Sequence, residues 1–400
     1  NIAQNETVRF IQPSVNSSVL NRDLSGITSQ ILGNLFANGS IILINPAGIN
    51  IGQNANINVA SIIASTLDIS NQDFLSGNYK FFKNGGNAFL FNQGNIIIRN
   101  GGYVALLSQA VENSGRITAE LGTVVLASGE AMTLALDDLN EISVVIDEAV
   151  KSGVLGFDSA IKNSGTISAN GGKVILTAKV LNDVFDYAIN NSGVIEAKSV
   201  INHNGVVELI ADGAPVINTG KIEAGQVNVI VKDADFTNKG EIVTQKAEPQ
   251  SQPANISIQA VNVLQGGLIS AQDTVALAAE TVTVILKDNP DTILLDPLVN
   301  VSPGVIIQAN QVRIIAKQFG STNAPLNINA ALTYIIRTQG DINILDSLGI
   351  GTNIMLRGPP EGFGAIIYNR DTNLTLEAQQ GSVSLSENVT LSANNLTLTA

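Results

Sequence analysis

The residues able to do chemistry are few and poorly grouped. Asp137-Asp138 and Asp233-Ala234-Asp235 could each offer oxygens to Ca²⁺, which accepts carboxylate and backbone carbonyl ligands, although solvated turns are the usual fate of such pairs. His203 is the single histidine, set in Ile201-Asn202-His203-Asn204-Gly205. No second His and no Cys exists to complete a zinc set, so neither a metal nor a catalytic role is assigned to it. Gly101-Gly102 and Gly171-Gly172 precede no helix, which rules out a phosphate cradle and leaves them as chain corners. Glycan cleavage would need clustered carboxylates, or Asp with Arg and Lys, lining a groove. The alternating segments instead carry Ser, Thr, Asn and Gln at their polar positions, and sugar-stacking aromatics are scarce. The expectation is a non-enzyme without metal or cofactor; a polysaccharide lyase or hydrolase is the least favoured alternative.

Composition narrows the remaining classes. The 400 residues are 44% hydrophobic and only 14% charged, so the chain can bury a large core and is not a disordered polyelectrolyte. A net charge of -13 without basic clusters argues against nucleic-acid binding, because phosphate contacts need grouped Lys and Arg. Cysteine is absent, so stability must come from packing and hydrogen bonds; a chain without cross-links also suits passage through a pore while unfolded. No apolar run is long enough for a transmembrane helix. With 12 Phe, five Tyr and no Trp, the aromatic girdles of a membrane barrel are also missing. The text opens on Asn1-Ile2-Ala3-Gln4-Asn5, already strand-like, so the start is expected to be mature or cut back.

The elements that would position any site come from a repeat. Asn-x-Gly-x-Ile recurs at Asn92/Gly94, Asn113/Gly115, Asn163/Gly165, Asn191/Gly193, Asn218/Gly220 and Asn238/Gly240, with a degenerate copy at Gly266-Gly267-Leu268-Ile269. A base period of about twenty residues with variable excess reads as one coil of a solenoid per repeat, the excess leaving as loops. Lys173–Ala178, Gln226–Val231 and Asn373–Ala378 alternate polar and apolar with period two. The expected fold is therefore all-β: a right-handed parallel β-helix, single-stranded and pectate-lyase-like. An antiparallel sandwich shares the short strands but does not require a repeat in sequence. The repeat Asn residues are expected to stack as an amide ladder, with each following Gly supplying positive φ at the corner.

Two segments interrupt the coils. Met132–Leu136 and Ile142–Asp147 flank Asp137-Asp138-Leu139-Asn140 and read as an extra-helical β-hairpin. Asp73–Phe82 is apolar and aromatic, and is expected to cap edge strands near the N-terminal end. Lys246–Pro253, with two prolines and no apolar run, gives a domain expectation of 1–245, a linker or loop at 246–255, and continuing β-helix repeats over 256–400. The final strand text carries no cap, so the natural chain is expected to run on.

One stretch carries more information than the rest. Ile41-Ile42-Leu43-Ile44 meets Asn45-Pro46-Ala47-Gly48 and resumes at Ile49-Asn50-Ile51; Pro at the second turn position presets φ, and Gly at the fourth suits a tight reversal. With Arg9–Ser14, Leu20-Asn21-Arg22, Ile31-Leu32-Gly33, Ala37-Asn38-Gly39 and Ala64–Ile69, it resembles the N-terminal secretion (TPS) domain of two-partner-secretion exoproteins. These are the filamentous-haemagglutinin-like adhesins with a haemagglutination activity domain. The resemblance is strongest over 9–82 and extends over about 1–245. It departs at two points. Ala47 stands where the family motif Asn-Pro-Asn-Gly has its second Asn, and Gln12-Pro13-Ser14-Val15 occupies the region of the family's absent Asn-Pro-Asn-Leu tetrad.

The resemblance implies a secretion-targeting and fold-nucleating module of a large exoprotein. Its partner would be a cognate outer-membrane TpsB transporter of the Omp85 type, acting through POTRA domains. The product would be secreted or surface-bound on a Gram-negative bacterium, by way of the periplasm. It also implies a secretion motif at Asn45, Pro46, Ala47, Gly48 and Ile49 with Asn21 and Arg22, read either directly or as structural turn residues. The alternative function is an adhesive face for glycans, proteins or cells, with host-cell or bacterial-cell surface molecules as partners of the full-length protein.

Overall fold

The alternating segments stack in parallel, three strands to each coil. The computed structural model describes residues 1–136, 142–248 and 252–279, with strand backbone between 281 and 399. It divides into two compact units, Asn1–Ala234 with Gln245–Gln252, and Asp235–Thr244 with Pro253–Ala400.

In the first unit, one column of parallel strands runs through Thr7–Phe10, Asn34–Ala37, Asn56–Val59, Asn95–Ile98, Arg116–Thr118, Thr166–Ser168, Val194–Ala197 and Lys221–Ala224. A second column runs through Ser18–Arg22, Ser40–Ile44, Ser61–Ser65, Tyr103–Ser108, Thr123–Ser128, Lys173–Lys179, Val206–Asp212 and Gln226–Lys232. The third begins at Ser29–Ile31 and Ile49–Ile51 and continues through Phe89–Asn92, Ala110–Asn113, Ser159–Asn163, Tyr187–Asn191 and Val216–Asn218. This is a parallel β-helix. Its inward positions are Ile, Val, Leu and Ala with almost no exposure, such as Ile62, Val104, Leu126, Leu176 and Leu209. Each large one contributes about 1.5–3 kcal/mol by leaving water. The second unit continues parallel pairing three strands apart, for example Asn255–Gln259 on Thr274–Ala278.

The repeat residues have a definite place. Asn92, Asn113, Asn163, Asn191 and Asn218 are buried at strand ends and form an amide ladder, each Nδ2 donating to the next Oδ1 at 2.7–2.8 Å. Within the second unit Asn238 Nδ2 donates to Gln265 Oε1 at 3.3 Å, so Gln replaces Asn in the degenerate copy. The glycines correct the expectation of positive φ at each corner. Gly94, Gly115, Gly165, Gly193, Gly220 and Gly240 are not among the positive-φ residues. A Cβ on Gly115, Gly165, Gly193 or Gly220 would instead collide with the carbonyl oxygen of the glycine one coil below. Gly240 is the lower partner of the same contact in the second unit, since a Cβ on Gly267 would strike the Gly240 carbonyl oxygen. Glycine is required there by backbone approach between coils, not by turn geometry. Gly101 and Gly171, by contrast, do turn corners at φ 75° and 68°.

The interval from Asn113 to Asn163 is a single coil, since Ala110–Asn113 pairs directly with Ser159–Asn163. Its excess leaves the solenoid. Ala131–Leu136 and Ile142–Glu148 pair antiparallel as the expected hairpin; Asp137-Asp138 lies outside the described residues. The hairpin joins Tyr79–Phe82 and Asp68–Ile69 in a four-stranded antiparallel sheet. Here the structure corrects the expected cap. Asp73–Phe82 supplies part of the short helix Asn71–Leu75 and then a flank strand, with Phe81 buried against the side of the solenoid. The N-terminal end has a cavity of about 280 Å³ lined by Ile2, Val8, Phe10, Leu35, Ile41 and others, none from 73–82. An aromatic strand whose partner lies some fifty residues further on gives no local sign of which edge it meets. In the second unit Ala254 is buried and Asn255 already begins a strand.

Candidate functional site: the Asn45 turn and the loop it holds

The turn at Asn45 closes as its chemistry demands. Gly48 N–H donates to Asn45 C=O at 3.0 Å, and Gly48 adopts φ 116°, a value only glycine takes easily. The Asn45 side chain is fully buried. Its Oδ1 accepts from Ala47 N–H at 2.8 Å, and its Nδ2 donates to Ile27 C=O and Ser29 Oγ, both at 2.8 Å. The amide therefore fastens the turn to the previous coil, whose strand Ser29–Ile31 lies alongside Ile49–Ile51.

The partner is the loop 23–28. Thr28 Oγ1 donates to Ala47 C=O at 2.9 Å, Ser29 N–H to Gly48 C=O at 3.0 Å, and Asp23 N–H to Ile44 C=O at 2.8 Å. Within the loop, Asp23 accepts from Ser25 N–H and Ser29 Oγ. The Ser25 N–H bond, reinforced by the Ser25 hydroxyl, holds the Asp23 carboxyl below its ordinary value. Leu24 and Ile27, 65% and 67% exposed, project from this pinned loop.

The other motif residues separate into structural tasks. Gly48 and Ile49 are buried, and Pro46 and Ala47 are half-buried; Pro46 lies against Gly85, where a Cβ would approach to 3.3 Å. Arg22 faces outward and clamps the flank sheet, with Nε on Asp68 Oδ1 at 2.8 Å, Nη2 on Ile69 C=O at 2.5 Å and Nη1 on Asn71 Oδ1 at 3.0 Å. Asn21 faces the N-terminal cavity, its Nδ2 buried without a partner. The turn and the Arg22 clamp thus flank the start of the same coil but share no bond. Sequence reasoning missed Thr28, Ser29 and Asp68. A coil period of about twenty would have set 27–29 beside 45–48.

Fold and geometry define a solenoid segment with a hydrogen-bonded corner in its first coils. The family model for the TPS secretion domain matches residues 1–224, and the chain belongs to that family. Two curated relatives are heme/hemopexin-binding proteins of Haemophilus influenzae. One is 37% identical over 272 residues, covering 66% of this chain and 29% of that protein. The other is 32% identical over 265 residues, covering 60% and 27%. The chain thus spans under a third of the length of these relatives. Among solved structures, the HMW1 secretion domain from Haemophilus influenzae aligns at 23% identity and a TM-score of 0.48, covering 99% of this chain and 90% of that one. The chain carries the TPS secretion domain of a two-partner-secretion exoprotein. Members of the family cross the outer membrane of Gram-negative bacteria with a partner TpsB transporter, and the family is not one of enzymes.

Proposed function

We propose that residues 1–245 are the secretion-targeting and fold-nucleating module of this exoprotein, recognised in the periplasm by the POTRA domains of its own outer-membrane transporter. Residues 256–400 then belong to the passenger that follows. The observation that carries this reading is the family match over 1–224, which contains the Asn45 turn and the loop fastened to it. Packing supports the nucleating role: the flank sheet joins Asp68–Ile69, Tyr79–Phe82 and the hairpin strands 131–136 and 142–148 over the side of several coils at once. Secretion of the 400-residue chain from a diderm host, with and without the cognate transporter, tests the proposal. Export with the transporter and periplasmic retention without it is the expected result. Transporter-independent binding of fragment 1–245 to cells or glycans would favour the adhesive alternative.

For the full-length protein we propose heme or hemopexin binding, supported by the 37% identical relative of that name. Retention of the full-length protein on immobilised hemin or hemopexin, compared with fragment 1–245, tests it. Whether the product is released or stays at the cell surface is read by fractionation in the same experiment.

A further inference from the structure

We propose that the surface read by the transporter is the loop 23–28, with Leu24 and Ile27 as its apolar contacts, and that Asn45-Pro46-Ala47-Gly48 is the template that shapes it. This rests on the secretion reading above. The motif itself offers little to a reader, because Asn45, Gly48 and Ile49 are buried and the Asn45 amide is committed to Ala47, Ile27 and Ser29. What the motif does present is its neighbour. Two branched aliphatic side chains stand 65% and 67% exposed within four residues, on either side of Ser25 and Gly26. The backbone that bears them is tied down at Asp23, Ile27, Thr28 and Ser29. A pinned loop loses little conformational freedom on docking, so its apolar area converts efficiently into affinity.

The occupant follows from the family, whose members work with an outer-membrane transporter: the periplasmic portion of that transporter, met through apolar contacts that match Leu24 and Ile27. The same geometry explains why Ala47 can replace a polar residue. Position 47 contributes its backbone N–H and C=O to Asn45 and Thr28, and neither bond needs a side chain there.

The test compares variants of the 400-residue chain for export with the cognate transporter and for binding to the transporter's purified periplasmic portion. Leu24→Ser/Ile27→Ser should lower binding about thirtyfold, the effect of losing a hot spot of about 2 kcal/mol, and export should fall with it. Its circular dichroism and thermal midpoint should match wild type, since both side chains are exposed. Ile201→Ser, at a similar 66% exposure on another corner, should leave export and binding unchanged. Thr28→Val/Ser29→Ala keeps Leu24 and Ile27 but cuts the ties to the turn, and should weaken binding about tenfold.

Wild-type export of Leu24→Ser/Ile27→Ser overturns the loop proposal while leaving transporter dependence intact. Equal loss in Ile201→Ser overturns it too, as does a change in self-association of the chain in place of transporter binding. Full binding by Thr28→Val/Ser29→Ala removes the templating role of the turn. Export of wild type without the transporter overturns the secretion reading itself and the loop proposal with it.

Discussion

The second column of strands is built in two ways along one solenoid. From Ser18 to Lys179 its outer face is covered by the antiparallel flank sheet; over Val206–Asp212 and Gln226–Lys232 it is bare. One outward-facing position, followed from coil to coil, reads Leu20, Ile42, Ile63, Ala105, Val125, Ile175, Glu208 and Asn228. Ile42, Ile63, Ala105, Val125 and Ile175 pack with Phe81, Met132, Leu134 and Ile142 of the sheet in one buried cluster. Where the sheet ends, this position turns polar at the next coil, while the neighbouring outward position stays apolar in Ile210 and in Ile230, which is 37% exposed. The covered strands Tyr103–Ser108 and Thr123–Ser128 are buried at every residue, whereas Val206–Asp212 alternates. The inner face does not change. The difference teaches that a β-helix has a common interior and a negotiable exterior, and that this chain concentrates its extra cohesion in its earliest coils.

The largest effect should come from exchanging the two exteriors. Val125→Glu places an unpaired carboxylate under the sheet and should cost more than about 4 kcal/mol in denaturant unfolding. Glu208→Val, at the equivalent outward position two coils on, should stay within about 0.5 kcal/mol. Similar losses for both would abolish the distinction.

The interior should be indifferent to it. Gly165→Ala and Gly193→Ala each force a methyl into the carbonyl of the glycine below, one in a covered coil and one in a bare coil. Each should cost about 3 kcal/mol, as overpacking does. Asn163→Ala leaves Asn113 Nδ2 and Asn191 Oδ1 without their ladder partner, and Asn191→Ala does the same to Asn163 and Asn218. Both should lose about 2 kcal/mol by thermal unfolding. A clear excess in the covered coil would mean that the sheet also stiffens the inner face.

The interior was the legible part in the sequence, because it repeats: a ladder of identical Asn and Gly residues announces parallel stacking. The role of the glycine was not legible. Approach to a carbonyl one coil away depends on register, which an isolated Asn-x-Gly does not reveal. The hairpin around 137–140 was readable because its strands are adjacent in the chain. The place of Tyr79–Phe82 was hidden, since its partner Ala131–Leu136 is remote. One signal did exist for the cover. Val104–Leu107 and Val124–Ala127 are unbroken apolar runs, the mark of a strand buried on both faces, while Val206–Asp212 and Gln226–Lys232 bring in Glu208 and Asn228. At the site, Pro46 and Gly48 announced the turn, but the loop it serves lies a coil earlier and carries no motif of its own.

The smallest expected effect concerns how the cover is fastened. Glu130, at the foot of the flank sheet, is 7% exposed and pairs with Lys83 Nζ at 2.8 Å and Lys151 Nζ at 3.6 Å. Burial alone would push its carboxyl up. The Lys83 hydrogen bond, the Lys151 N–H and the two ammonium charges outweigh it, and the group sits below its ordinary 4.5. A carboxyl lowered on folding adds stability above its unfolded value and loses it as pH falls through the folded one. The contribution is therefore complete well above pH 4.5, declines as pH falls from there, and is gone once pH lies below the lowered folded value. At neutral pH, Glu130→Gln should cost about 1 kcal/mol. It should also remove part of the acid sensitivity of amide exchange in Ala131–Leu136. The bare strand Val206–Asp212 gains nothing from this fastening, so its exchange should respond to acid identically in wild type and variant. Equal acid sensitivity of the Ala131–Leu136 amides with and without Glu130 would show that the apolar face alone holds the cover in place.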